Sequence, residues 1–156
     1  MGINAKFNVK DVVEQMVSEE AAKVHAKIFE NLAYVGDEAI KLAREKGSYT
    51  DQTGNLRAST GYVISYNGKI ISDAGFDPNA ARNTKKQRDG QTGASGGKTF
   101  AYEMAGKHKN GFVLIVVAGM YYGAYVEKRQ YDVLTFTEAQ ARIDAEKLFG
   151  QMFKAA

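Results

Sequence analysis

Residues 60–76 read TGYVISYNGKIISDAGF, and the Asn67-Gly68 pair at the centre decides the fold class. Asn-Gly between two runs rich in β-branched and aromatic residues is the sequence of a type I′ hairpin turn, which needs positive φ at both central residues. With that turn Tyr66 faces Lys69 and Ile64 faces Ile71, so the Tyr62/Ile64/Ile71 face is the expected core side of an antiparallel pair. Just upstream, Asn55-Leu56-Arg57-Ala58-Ser59 has room only for a helical turn that launches the first strand, with Asp51 or Thr53 as its candidate cap.

On the N-terminal side, Val9, Val13, Val17, Val24, Ile28, Leu32, Val35, Ala39 and Leu42 recur close to the 3.6-residue period. The stripe predicts a long amphipathic helix from Val9 to Lys46. Asn8 is its candidate N-cap, Asp11 lies in the first turn, Arg44 and Lys46 lie in the last, and Gly47 is the stop signal. At ~1.5 Å per residue the helix would reach on the order of 55 Å, more than one small domain can cover. It is expected either to break near Gly36 or to pack in part on a neighbouring subunit.

On the C-terminal side, residues 77–99 hold the only proline and no large apolar residue. Such a segment has nothing to bury and is expected to be a long mobile loop. The run FVLIVVA, residues 112–118, fits a central strand covered on both faces. A helical turn carrying Tyr122, Tyr125 and Val126 and a strand at Tyr131 to Leu134 are expected next. Thr135 and Glu138 form a capping box for a second amphipathic helix bearing Phe136, Ala139, Ile143, Phe149 and Phe153. No regular strand-helix-strand alternation appears. The expected class is α+β: an antiparallel sheet packed by a long N-terminal helix and a C-terminal helix, with a long basic loop.

At 156 residues, with 44% hydrophobic and 25% charged residues, the chain fits one domain spanning residues 1–156. It has no cysteine, which excludes disulfides, thiolate metal sites and a cysteine nucleophile. The start lacks a basic region followed by an apolar run, and no apolar stretch reaches roughly 18 residues. A soluble, cytoplasmic chain with no membrane partner is therefore expected. The net charge of +3 is modest, but between Asp77 and Phe100 Arg82, Lys85, Lys86, Arg88 and Lys98 face only Asp77 and Asp89. That segment carries the whole excess, so Lys85, Lys86, Arg88 and Lys98 are candidate contacts to DNA phosphates, with a merely solvating loop as the alternative.

GASGGKTF, residues 93–100, imitates a phosphate-binding loop, but the pattern requires glycine where Thr92 stands. The preceding NTKKQRDGQT cannot be a buried strand, and after Thr99 a turn or two of helix is expected, so the loop-and-helix cradle for phosphate is missing. His25 lies beside the apolar stripe and reads as a boundary residue, and His108 sits in a solvated turn. Asp73, Glu103 and Glu127, with Lys69, are the residues a small metal-dependent nuclease would use, although their spacing does not single them out. Tyr121, Tyr122 and Tyr125 suit core or subunit-interface packing, with base stacking as the alternative. No catalytic residue, cofactor site or metal site is assigned.

Two stretches carry a family resemblance. Asp51-Gln52-Thr53-Gly54-Asn55-Leu56-Arg57-Ala58-Ser59 is similar to the D-x-T-G-x-L-R-x-S signature of the neck or tail-completion proteins of long-tailed bacteriophages, which join the DNA-filled head to the tail. Tyr122-Gly123-Ala124-Tyr125-Val126-Glu127 is similar to that family's Y-x-x-Y-V-E segment. Their order and separation agree from Val9 to Phe153. Two departures are the Lys128-Arg129-Gln130 that follows, in place of a glycine-bearing turn, and a longer, more basic 77–98 segment. The resemblance implies a virion protein without a catalytic step, assembled in the host cytoplasm into a homo-oligomeric ring of six or twelve around the DNA channel. Its partners would be other neck, connector or tail-tube proteins, and double-stranded DNA contacted without sequence preference. Thr53, Gly54, Leu56, Arg57, Tyr122, Tyr125, Val126 and Glu127 would form the motif and interface, with Arg57 and Glu127 in ion pairs between elements or subunits. The competing classes are a small metal-dependent nuclease and a free DNA-binding module.

Overall fold

The computed structural model describes residues 9–80, 90–129 and 131–154. The chain is α+β. Helix α1 (Val9–Lys46) leads through the short α2 (Asn55–Ala58) to the hairpin β1 (Thr60–Tyr66) and β2 (Lys69–Ala74). Helix α3 (Gly90–Ala105), strand β3 (Phe112–Ala118), the short α4 (Gly123–Lys128) and α5 (Thr135–Lys154) complete the order. The antiparallel sheet runs β2-β1-β3.

The hairpin turns as its dipeptide demands, with φ of 50° at Asn67 and 80° at Gly68. Tyr66 faces Lys69, but a bulge between Ile64 and Ser65 slips the register, so Ile64 pairs with Ser72 and not with Ile71. One extra residue on β2 turns Ile71 outward, and it is exposed. Tyr62 and Ile64 remain on the core side as expected.

Helix α1 does not break. At Gly36 it passes so close to the sheet that a Cβ there would lie 2.8 Å from the Tyr62 ring, so this glycine serves contact and not a kink. The α1 stripe from Ile28 to Ile40 packs with Phe149 of α5 on one face of the sheet, over Tyr62, Ile64, Leu114 and Val116. Its first half contacts little: Val13, Met16, Val17 and Val24 are all exposed. The expected cap Asn8 lies outside the described residues.

Three expectations are corrected. Residues 90–99 are not loop but the first part of α3, which continues well past Thr99. This helix buries no large side chain there because it packs by backbone: a Cβ on Gly93 would collide with the Asn55 backbone, one on Gly97 with Ser59, and one on Gly119 with Gly97. Ala101 and Ala105 then pack on Val63 and Val117, covering the second face of the sheet.

The expected strand at Tyr131 to Leu134 is absent. The backbone N–H groups of Val133 and Leu134 donate to the Glu127 carboxylate, 2.9 and 3.2 Å away, so they are not spent on a strand neighbour. Finally, β3 is covered on both faces but stands at the edge of the sheet and not at its centre.

Candidate assembly surface

The segments 51–59 and 122–127, far apart in sequence, meet at one end of the sheet. Gly54 adopts φ 88°, a conformation that favours glycine, and accepts the first helical bond of α2 from Ala58 N–H at 2.9 Å. No side chain caps α2. Thr53 Oγ1 accepts from the Asn55 N–H at 3.4 Å, and Asp51 is engaged elsewhere.

Asp51 and Arg57 form a buried ion pair, Nε to Oδ2 2.9 Å. Arg57 Nη1 also donates to the Arg44 carbonyl at 2.6 Å, satisfying one of the free carbonyls at the C-terminal end of α1. The guanidinium lies 4.8 Å from the centre of the Tyr49 ring. Burial pushes the Tyr49 hydroxyl up to about 12, against the pull of Arg57. Arg57 therefore ties the 49–51 loop, α2 and the end of α1 together, and its ion pair lies within the subunit.

Leu56 is buried beneath α4, where a Cβ on Gly123 would come within 3.3 Å of Leu56 Cδ1. Tyr122 leans on the same turn: burial raises its hydroxyl pKa, opposed by hydrogen bonds from the Thr53 side chain and the Leu56 backbone. Between the two segments opens a mostly apolar cleft of about 390 Å³, lined by Tyr49, Thr53, Leu56, Tyr122, Tyr125 and Val126. Tyr125, Arg129 and Tyr131 continue it into an adjoining recess, and the Arg129 guanidinium sits 4.6 Å from the centre of the Tyr125 ring. Tyr121, 93% exposed, projects beside them.

Glu127 makes no ion pair among the described residues, contrary to expectation. Its carboxylate accepts from the N–H groups of Val133, Leu134 and Thr135 and from the Thr135 hydroxyl. Partial burial pushes this carboxyl up, but the hydroxyl and the three N–H groups outweigh it and hold it below the usual range. Glu127 is thus the cap of α5, assisted by Asp132 accepting from Phe136 N–H at 3.3 Å. The expected capping-box residue Glu138 instead bonds Arg142 at 2.7 Å.

Of the basic candidates, Lys85, Lys86 and Arg88 lie outside the described residues. Lys98 stands on α3 and pairs with Asp73 of β2 at 3.0 Å, while the Tyr102 hydroxyl donates to the other oxygen of Asp73 at 2.5 Å. The carboxylates considered for a nuclease are dispersed: Asp73 is held in that cluster, Glu103 is on α3, and Glu127 caps α5. Among the described residues no three His, Asp or Glu side chains gather as metal ligands. His25 is exposed and sets its ring at a steep angle against Tyr66 and Phe112, with ring centroids 5.1 and 5.3 Å away.

Sequence reasoning missed Tyr49, Arg129 and Asp132. Tyr49 and Asp132 lie just outside the two motif segments, and their partners are set by the loop path and not by a helical or strand period. No protein-family model matches the chain, and neither does any curated protein or solved structure. No described helix is long and apolar enough to cross a membrane.

Proposed function

We propose that this chain is a structural virion subunit, a neck or tail-completion protein that forms a ring of six or twelve copies joining the head of a long-tailed phage to its tail. The observation that carries the reading is the convergence of the two motif segments around one tyrosine-lined cleft. Their buried members, Asp51, Leu56, Arg57 and Gly123, hold the cleft in shape. Tyr121 and Tyr125 are left in solvent, and tyrosine suits a half-wet contact between subunits because its ring is apolar and its hydroxyl is not.

A subunit of such a ring has no catalytic step. It would assemble in the host cytoplasm, end in the virion neck, and stack on other neck, connector or tail-tube proteins. Lys85, Lys86 and Arg88 would meet the phosphates of DNA in the channel without reading its sequence.

Light scattering on the purified chain, followed by negative-stain imaging, tests the ring. Rings of six or twelve are expected, and the double variant Tyr121→Ala/Tyr125→Ala should shift the chain toward smaller species with its circular dichroism intact. Rings that form equally well in the variant would remove the cleft from the interface. A chain that stays monomeric at every concentration and salt, yet binds or cleaves DNA, would replace the reading with one of the competing classes.

A further inference from the structure

Strand β3 is a sheet edge, with no strand on its outer side among the described residues. Within the strand itself there is nothing that would keep an edge from pairing. Its 7 residues, FVLIVVA, include no charge, proline or glycine, and their register with β1 is unbroken. Edges are ordinarily blunted by lysine, proline, a bulge or a covering element. The opposite edge is blunted: β2 carries the bulge together with Lys69 and Asp73, and Asp73 is clasped by Lys98 and Tyr102. The two edges of one small sheet thus differ in kind.

Burial tells the same story. Strand β1 is buried along almost its whole length, whereas the more apolar β3 stays half-buried except at Val117. Over the face of β3, between α1 and α5, runs a groove of about 380 Å³ lined by Leu32, Leu114, Val116 and Leu134, with Glu138 and Arg142 among its polar residues. Packing an edge strand and an adjoining apolar groove against a partner removes both from water.

The geometry points to a second copy as that partner: β3 pairs with β3 of another chain across a two-fold axis, merging two sheets into one continuous antiparallel sheet. A two-fold contact needs one self-complementary patch, and this patch supplies the strand and the groove together. Glu138 and Arg142 give it one acid and one base, so its own copy meets no excess of like charge. A head-to-tail pairing would instead need the β2 edge, which is blunted. The proposal does not rest on the ring reading, since a two-fold β3 contact could equally join two free subunits or two rings.

The test is sedimentation velocity over a concentration series, with hydrogen exchange of the β3 amides, on the full chain and on Val113→Lys and Arg142→Glu. Arg142 has a side chain 74% exposed, so its variant keeps the fold even where Val113→Lys does not. The expected result is a dimer or an even multiple. Each folded variant should raise its dissociation constant roughly tenfold or more, with faster exchange at Phe112 to Ala118. A wild-type chain that is monomeric at about 0.1 mM, well above a micromolar dissociation constant, would overturn the proposal. So would an assembly whose strength and β3 exchange neither folded variant changes. Rings that persist unchanged in both variants would sink this inference and leave the ring reading standing. Variant-sensitive dimers without rings would do the reverse.

Discussion

Arg57 shows how one side chain can make a motif necessary without touching a ligand. Its guanidinium is buried with Asp51 and bonded to the Arg44 carbonyl, so truncation takes the ion-pair partner away from a buried carboxylate. Arg57→Ala should cost about 3–5 kcal/mol in urea unfolding, and Asp51→Leu/Arg57→Leu should cost less than the sum of the two single changes. Additive losses would mean that the two groups are not energetically coupled. Glu127 acts through pH. Its folded pKa is held below the unfolded value, so its stabilisation is complete above the ordinary carboxylate range and is lost as pH falls through the lower folded value. Asp73, whose partial burial is outweighed by Tyr102 and Lys98, contributes to the same acid limb with the same sign. Glu127→Gln should cost about 1 kcal/mol at neutral pH, as lost helix caps do, and flatten part of that limb. An acid limb identical to wild type would assign it to other groups.

At the scale of elements, α3 is held by what its residues lack. The stretch that imitates a phosphate loop supplies glycines so that helix backbone can touch the backbones of α2 and of the loop after β3. Gly96 and Gly97 make a controlled pair. Gly97→Ala would drive a methyl into Ser59 and should destabilise the protein despite alanine's better helix propensity. A Cβ on Gly96 meets nothing within 4 Å, so Gly96→Ala should stabilise by about 0.5–1 kcal/mol. Thermal or urea unfolding of both variants reads the difference, and equal effects would show that close packing is not what fixes α3.

For the whole molecule, the first half of α1 is the conspicuous feature, a helix standing in solvent with Val13, Val17 and Val24 on the same stripe that is buried from Ile28 onward. Valine has no helix-forming advantage in water, so a stripe of this kind is suited to being covered. Val17→Glu should therefore change unfolding free energy by less than about 0.5 kcal/mol, as for a surface site, while weakening any assembly that covers the stripe. A large loss of stability in the isolated chain would mean that Val17 is already packed. Assembly that proceeds normally would leave this half of α1 outside the interface.

The long helix, its stop at Gly47, the hairpin turn and the α+β class were legible in the sequence because each rests on local chemistry: a 3.6-residue stripe, a C-terminal glycine, an Asn-Gly pair. So were the two segments that build the candidate surface. Several features were not. The bulge that exposes Ile71, the glycine contacts that make a helix of a loop-like segment, the placement of β3 at an edge and the capture of three N–H groups by Glu127 join residues distant in the chain or depend on backbone approach. Periodicity reports which face of an element is apolar. It cannot report which backbone will press against it, and that is settled only when the elements pack.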